Sequence, residues 1–455
     1  MDSKSHPSIP FYEALKFWFK LGFISFGGPA GQIAIMHKEL VEEKRWISDK
    51  RFLHALNYCM VLPGPEAQQL AIYIGWLLHR TWGGVVAGVL FVLPSLFILI
   101  GLSYVYVVFG NVPWVAALLY GIKPAVAALV LQAVHRIGSK TLKTPTTAPL
   151  LWAVAVLSFL AIYFLQIPFP VIVICAAVIG VIGAKFAPKQ FSTSAGHGAK
   201  KSAPDEIRPA VIDDNTPTPE HAVLKKSRLA TVIAVGAVLW LVPMAILMAY
   251  QDGDSTLTQM AWFFTKAALL TFGGAYAVLP YVYQGAVEQF SWLTGAQMID
   301  GLALGETTPG PLIMVVAFVA FLGGWVKEVL GPQSLFFGAA LAATVVTWFT
   351  FLPSFIFILA GGPLVETTHN NLKFTAPLTA ITAAVVGVIA SLALFFIAHI
   401  AIKSGANGSF IERFDYFSIS VAITAAIALI RYKIGVMPVL IASAICGLVW
   451  RLSTN

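Results

Sequence analysis

The chain has 455 residues, of which 58% are hydrophobic and only 11% are charged. A soluble globular protein carries about 25% charged residues. Packing in water could not bury this much apolar surface in one chain of this size, so the composition excludes a soluble protein and indicates one that lies in the bilayer. The formal net charge of +8 is modest. We interpret it as a signal of membrane topology and not of nucleic-acid binding.

Two apolar segments near the start of the chain are interrupted by Gly and Pro. The first, 11–43, is broken at Phe26-Gly27-Gly28-Pro29, and the second, 51–79, is broken at Pro63-Gly64-Pro65. Uninterrupted apolar spans follow, each near the length that a helix needs to cross a hydrocarbon core of roughly 30 Å. They are 83–110, 114–135, 148–165 and 170–186.

A polar segment divides the chain near its middle. Residues 188–227 are rich in Ser, Thr, Pro and charge, and they have little to bury, so we predict a solvated cytoplasmic linker. An extra apolar span, 229–250, comes next. The sequence therefore predicts an N-terminal repeat, the linker, an extra transmembrane helix and a C-terminal repeat, over 1–187, 188–227, 228–256 and 257–455.

An internal repeat relates the two halves at an offset of 246 residues. The pairs at this offset are Phe26-Gly27-Gly28 with Phe272-Gly273-Gly274, Pro63-Gly64-Pro65 with Pro309-Gly310-Pro311, Lys20 with Lys266, and Trp46 with Trp292. A later pair, Leu93-Pro94-Ser95 with Leu352-Pro353-Ser354, has an offset of 259, which implies about 13 extra residues in the second half. Identities at fixed spacing, including Trp and Lys, indicate a duplication.

The basic residues predict how the halves are oriented. Loops 37–51 and 136–143 and the linker are rich in Lys and Arg, whereas 284–294 has none. All three basic segments lie in the cytoplasm if the interrupted segments are re-entrant hairpins, as the positive-inside tendency requires. We therefore predict an all-α polytopic membrane protein of two inverted-topology repeats. Each has two re-entrant or broken helices and about four transmembrane helices, and one extra helix links them. Nine spans with four hairpins are favoured, and thirteen full crossings stay open.

The interrupted helices are candidates for substrate binding. A helix broken inside a membrane must line a protein cavity or a wet site, and the half-helix that begins at the break points free N–H groups and a positive dipole end into it. The alternative is that the glycines only permit close helix packing. The predicted binding residues at these breaks are Phe26, Gly27, Gly28, Pro63, Gly64, Pro65, Phe272, Gly273, Gly274, Pro309, Gly310 and Pro311.

Two lysines complete the predicted anion site. Lys20 and Lys266 each stand six residues before Phe-Gly-Gly, within apolar sequence. An ionisable side chain in such a segment usually faces a cavity or a partner. The alternative is that each lysine extends to the membrane interface from a short half-helix.

Three further ionisable residues are candidates for proton coupling. Glu66 directly follows Pro63-Gly64-Pro65, and Glu306 shortly precedes Pro309-Gly310-Pro311. Glu66 could equally cap its helix. Lys123, within an apolar span, could line the path or pair with an acid.

Catalytic and cofactor motifs are absent from the sequence. It contains no Gly-x-x-x-x-Gly-Lys-Ser/Thr loop for ATP, no metal-ligand spacing and no nucleophile with a plausible base. We expect a protein that is not an enzyme and that uses no cofactor or metal.

The motifs Phe26-Gly27-Gly28-Pro29, Trp46-Ile47-Ser48, Leu62-Pro63-Gly64-Pro65-Glu66 and Leu93-Pro94-Ser95 resemble those of the chromate ion transporter family, in its two-domain, long-chain branch. The resemblance covers nearly the whole chain. It implies export of chromate across the bacterial inner membrane, chromate resistance, a proton or potential gradient as driving force, and sulfate as chemical analogue. The second half departs from the pattern, with Ala275 in place of Pro29 and Leu312 in place of Glu66. A sulfate or oxyanion importer, an anion channel and a homodimer stay open.

Overall fold

A computed structural model of the chain describes residues 9–26, 28–191, 210–214, 216–217, 219–251, 255–367, 375–402 and 413–454. The regular elements of these residues are helices, and β-type pairing occurs there only at two isolated bridges, Ile47 with Ile212 and Ile402 with Phe414. The prediction of an all-α protein is confirmed.

The first half contains two broken pairs of helices followed by long ones. A π-helical turn, Lys38–Glu43, continues the second helix. The helices are α1 Phe11–Ile24, α2 Gly28–His37, α3 Asp49–Cys59, α4 Glu66–Phe109, α5 Pro113–Thr141, α6 Pro149–Tyr163, α7 Phe169–Phe186 and the short α8 Pro188–Phe191.

The second half repeats this order after one additional helix, α9 Lys226–Gln251. A π-helical turn occurs again, at Gln284–Gln289, 246 residues after the first. The helices are α10 Thr256–Leu269, α11 Ala275–Tyr283, α12 Gly295–Thr307, α13 Val315–Val326, α14 Leu335–Thr367, α15 Thr375–Ala401, α16 Tyr416–Ile430 and α17 Val436–Thr454. Both halves thus fold by one plan, as the repeat predicts.

The extra residues of the second half lie at one junction. In the first half the second broken segment and the next span form a single helix, α4, with a kink at His79 and Arg80. In the second half α13 and α14 are separate, and 327–334 connects them through the 3-10 turn Pro332–Ser334. The predicted boundary between 51–79 and 83–110 is therefore a kink and not a loop.

Seven helices of the described residues are long and apolar enough to cross a membrane: α4, α5, α7, α9, α14, α15 and α17. The equivalent helices α6 and α16 are apolar but have only 15 residues, or about 22 Å at 1.5 Å per residue. They are the two of the nine predicted spans that fall short of the usual length. The chain is a multi-pass membrane protein.

The halves pack by exchanging their last helices around α5 and α15. Helices α6 and α7 pack on α15, and in return α16 and α17 pack on α5. Reciprocal contacts of equivalent elements are the mark of a two-fold relation. Small residues let the backbones approach, since a Cβ added at Gly121 would lie 2.1 Å from the Ser443 carbonyl oxygen.

Hydrogen bonds place two equivalent loops beside different segments, one beside the linker and the other beside the start of α7. The Ser48 N–H donates to the Ile212 carbonyl at 2.9 Å, so loop 37–51 lies beside the linker that follows α7. Gln284, in contrast, accepts a 3.2 Å hydrogen bond from the Phe169 N–H at the start of α7. This helix of 18 residues is about 27 Å long. The contacts favour hairpins and opposed halves, while inversion with respect to the bilayer stays a prediction.

Single cysteines on a Cys-free background should test this topology. Glu43→Cys and Lys225→Cys should both resist an impermeant maleimide in intact cells, because both positions lie on the predicted cytoplasmic side. Gln289→Cys should react, because its loop contains no Lys or Arg and is predicted to lie on the opposite side of the membrane. A permeant maleimide is the control and should label all three. Labelling of Glu43→Cys alone would show that the broken segments cross fully.

Candidate functional site

The helix breaks of the two halves are joined by backbone hydrogen bonds. The Gly64 N–H donates to the Thr271 carbonyl, and the Gly310 N–H donates to the Ser25 carbonyl, each at 2.8 Å. Gly64 and Gly310 are equivalent in the repeat, as are Ser25 and Thr271. We call the four interruptions, residues 24–28, 63–66, 270–274 and 308–311, the break region. It joins equivalent positions of the two halves to each other.

Glycine is required at two positions of the break region. Gly64 and Gly310 have φ of 122° and 105°, a conformation that side chains rarely adopt. A Cβ at Gly64 would lie 2.6 Å from the Ser354 Oγ, and one at Gly310 would lie 2.8 Å from the Ser95 Cβ. Ser95 and Ser354 belong to the repeated Leu-Pro-Ser motif, so this motif closes over the breaks from the opposite half.

The predicted helix starts are present at these breaks. Helix α2 begins at Gly28, α4 at Glu66 and α11 at Ala275, while the second Pro-Gly-Pro leads into the 3-10 turn Leu312–Met314. The residues before α4 and α11, Pro65 and Gly274, form no side-chain cap hydrogen bond. The first N–H groups of these helices therefore stay available to another acceptor. Phe26 is exposed, Phe272 is half-buried, and Gly27 lies outside the described residues.

Two buried amides stand at the start of α4. Gln68 and Gln69 are fully buried. The Gln69 Nε2 donates to the Pro63 carbonyl at 2.7 Å. Within the described residues neither polar atom of Gln68, nor the Gln69 Oε1, has a hydrogen-bond partner. A buried polar group without a partner is costly, so these amides indicate a place for a polar ligand or water.

Two more buried polar side chains of the first half belong to the same region. The Gln32 Nε2 donates to the Gly310 carbonyl at 2.5 Å. The Ser25 Oγ is buried and has no partner in the described part of the chain. The sequence prediction missed Gln32, Gln68 and Gln69, although two successive glutamines in an apolar run directly after Pro-Gly-Pro-Glu are an unusual local signal.

Arg136 brings a positive charge near the carboxyl groups of both halves. Its guanidinium lies 5.7 Å from the ring centroid of Tyr276 and interacts electrostatically with both Glu66 and Glu306. The Tyr276 hydroxyl donates a short hydrogen bond to Glu306. The prediction of a loop at 136–143 is wrong, because α5 continues to Thr141 and carries Arg136 on its last turns.

Glu66 is the first residue of α4 and is half-buried. Its carboxyl group stands beside the helix end where an anion would bind. A carboxylate and an anion compete for the same positive end of the helix and repel each other, because both are negatively charged. Its counterpart Leu312 is buried and apolar, so the second half lacks this feature.

Lys123 pairs with an acid, which is one of the two roles that the sequence suggests for it; the other is to line the transport path. Its Nζ lies 3.2 Å from the Oδ2 of the buried Asp300, which also accepts a 2.8 Å hydrogen bond from the Tyr106 hydroxyl. This cluster joins α4 and α5 of the first half to α12 of the second. The sequence analysis did not single out Asp300, although an acid within an apolar segment is a signal of function.

The two predicted lysines are exposed. Lys20 forms a 2.6 Å ion pair with Glu39, and its side chain is 55% exposed. The Lys266 Nζ lies 5.8 Å from the ring centroid of Trp262, which is exposed as well. This placement agrees with lysines that reach an interface. Their role in binding stays a prediction.

The break region thus combines free helix N–H groups, buried neutral amides and two nearby cations, Lys140 and Arg136. Such a set donates hydrogen bonds and supplies positive charge without a fixed metal. It fits a compact oxyanion better than a cation or an apolar molecule.

Comparison with known proteins matches residues 12–181 and 258–448 to the chromate transporter family. The chain is 32% identical over 391 residues to the chromate transport protein of Pseudomonas aeruginosa, covering 84% of this chain and 80% of that protein. It is 28% identical over 385 residues to the probable chromate transport protein of Synechococcus elongatus, covering 85% and 84%. It is 27% identical over 383 residues to the chromate transport protein of Cupriavidus metallidurans, covering 84% and 82%. No solved structure matches.

Gly64→Ala should destabilise the protein by at least about 1–3 kcal/mol, because alanine is strained at this φ and its Cβ has no room. The midpoint of thermal unfolding in detergent measures the effect. Gly101→Ala is the matched control, since a Cβ at Gly101 in α4 meets no atom within 4 Å. Its midpoint should stay unchanged or rise slightly, and equal losses in both variants would contradict the assigned role of Gly64.

Proposed function

Since the chain belongs to the chromate transporter family, we propose that it exports chromate across the bacterial inner membrane as a secondary active transporter. Chromate transport across a membrane is the activity of the family. Export, its energy source and a role in chromate resistance are our proposals. The observation that supports them most directly is the break region, where helix ends, the unpartnered buried amide of Gln68 and the Gln69 Oε1 meet between the halves.

We place the chromate site at the start of α4. A dianion that leaves water needs positive partners, and one helix end supplies only about half a charge. The unpartnered Gln68 Nε2 adds a hydrogen-bond donor, and Arg136 adds a full charge. Chromate and sulfate are both tetrahedral dianions, so this set of donors would accept either, and the shape of the cavity must decide between them.

Glu66 would couple a proton to this site. An ionised carboxyl at the start of α4 would occupy the positive helix end and repel a dianion. The protonated carboxyl is neutral and can donate a hydrogen bond. Chromate would therefore bind together with one proton, and release of the proton would favour release of the anion. Asp300 is already neutralised by Lys123, which leaves Glu66 as the more direct candidate.

The membrane potential would determine the direction of chromate transport. Moving one charge through 100 mV is worth about 2.3 kcal/mol. A dianion that travels with one proton carries one net negative charge outward, so 100 mV would support about a 50-fold concentration ratio. A dianion that moves without a proton would reach a concentration ratio of about 2,000-fold at the same potential. A bacterial interior that is electrically negative thus favours export of the anion.

Tracer flux in proteoliposomes under imposed potentials tests the function. Purified protein should move chromate toward the positive side and hold a ratio that rises about 50-fold per 100 mV at constant pH. Empty liposomes at the same potential are the control. A ratio that rises about 2,000-fold per 100 mV, the value set by the charge of the dianion alone, would indicate an anion channel. Concentration of sulfate toward the negative side by an inward proton gradient would indicate an importer.

The same assay tests Glu66. Glu66→Gln keeps the shape of the side chain but cannot bind or release a proton, so the pH dependence seen in the wild type should flatten. The concentration ratio should then rise toward about 2,000-fold per 100 mV, the value for a dianion that moves without a proton. Comparison of both proteins at equal pH removes the effect of the substrate's own protonation. Glu42→Gln, on an exposed carboxyl of the π-helical turn, is the control and should behave as wild type. An unchanged pH dependence in Glu66→Gln would remove Glu66 from the coupling step.

The chromate affinities of variants can identify the side-chain cation that binds chromate. Arg136→Gln should weaken chromate binding by about 10- to 150-fold, the effect of losing roughly 1.5–3 kcal/mol from a charged hydrogen bond. The sequence also predicts Lys20 and Lys266 as binding residues, which Lys20→Ala and Lys266→Ala test, but both side chains are exposed. We therefore expect a smaller loss there. Membrane abundance and affinity are measured together for all three. If Arg136→Gln keeps full chromate affinity while both lysine variants lose it, the lysines and not Arg136 bind the anion.

A further inference from the structure

A basic cavity lies on the linker side of the molecule, outside the break region. Its volume is about 190 Å³. Side chains from three places line it: the kink of α4, the 3-10 turn Glu220–Ala222 and the segment that leads into α9. The charged residues of the lining are Arg80, Lys225, Arg228 and Glu220.

The positive charges of this cavity are not neutralised. In the described part of the chain, Arg80, Lys225 and Arg228 form no ion pair, and Glu220 is the single carboxylate of the lining. Burial, with the Arg80 and Arg228 charges as smaller causes, lowers the pKa of His221, so its ring is neutral at neutral pH. The excess is therefore about two positive charges. Like charges gathered in one cavity repel each other unless an anion joins them.

The backbone at Arg80 is held in a strained conformation. Its φ of 57° and ψ of −157° lie in a region that is almost restricted to glycine. A charged residue persists there only if the surroundings fix it, and such outliers gather at ligand sites. The kink thus keeps a guanidinium in the cavity wall at a position where glycine would remove the strain.

The cavity lies at the height of the membrane boundary. Trp82, next to the kink, is 75% exposed, and Val223 and Leu224 are exposed as well. Exposed tryptophan beside a membrane helix is typical of the headgroup level. Helix α9 begins directly afterwards, and only 11% of its apolar span is buried in the protein. Lipid would therefore border the cavity at Trp82 and at the start of α9.

We infer that this cavity binds the phosphate of an anionic phospholipid headgroup in the leaflet on the linker side. Basic pockets between membrane helices on the cytoplasmic side suit such headgroups. The volume holds a phosphate with part of its glycerol and is below that of ordinary small-molecule pockets. Free phosphate shares this chemistry, but the position beside α9 favours a ligand that is anchored in the bilayer.

The full chain in nanodiscs tests the inference. Discs of phosphatidylcholine are compared with discs that also contain phosphatidylglycerol, and retained lipid is counted by native mass spectrometry. The wild type should retain phosphatidylglycerol selectively. Arg80→Gln combined with Lys225→Gln should weaken that retention about 30-fold, since each cation near an anionic surface contributes about 5-fold. Both side chains are exposed, so the double variant should fold, which its thermal unfolding midpoint in phosphatidylcholine verifies.

Lys185→Gln is the matched control, because Lys185 is an exposed cation near the end of α7, on the same side but outside the cavity. It should retain lipid as the wild type does. Equal losses in the control and the double variant would overturn the site, since the effect would then be general surface charge. Inorganic phosphate is added to phosphatidylcholine discs in a second arm. Stabilisation there that the double variant loses would show that the ligand is a free oxyanion and would overturn the lipid assignment.

Discussion

The backbone groups at a helix break cannot be left without partners inside a bilayer, and the structure depends on how this chain satisfies them. Each half supplies the partner that the other half lacks. The Gly64 N–H pairs with Thr271, and the Gly310 N–H pairs with Ser25. The breaks must therefore lie where the halves meet. Helix ends with free N–H groups come to the same place for the same reason, so the constraint on folding also positions the site.

Local patterns in the sequence predicted the order of the elements well. Hydrophobic runs give the spans, and Gly-Gly and Pro-Gly-Pro give the breaks, because each signal resides in the residues that form the element. The kink of α4 had no such signal. It falls at His79 and Arg80, where neither glycine nor proline marks it and where packing holds Arg80 against its own preference. The internal repeat could also be found from the sequence, since its motifs recur at constant spacing.

The site was predictable only in part, and the difference lies in how far apart its residues are in the chain. The glycines, Glu66 and Glu306 stand at or near the breaks and could be found by position. Arg136 belongs to the end of another helix, and its meaning depends on the contact with Tyr276 from the opposite half. Matching lysines in both halves look the same in sequence whether they bind an anion or reach the interface. The solvent exposure of the two lysine side chains bears on this choice, and it can be known only from the folded chain.

The exchange of terminal helices between the halves affects the order in which the chain assembles during synthesis. Helices α6 and α7 find their place on α15, which is synthesised about 200 residues later. At a translation rate of about 5–20 residues per second, the first half waits roughly 10–40 seconds for its partner. During that interval α6 and α7 have only lipid to pack against, and the first break has no backbone groups from the second half to pair with. Biogenesis of this chain thus includes a half-assembled period that its own duplication imposes.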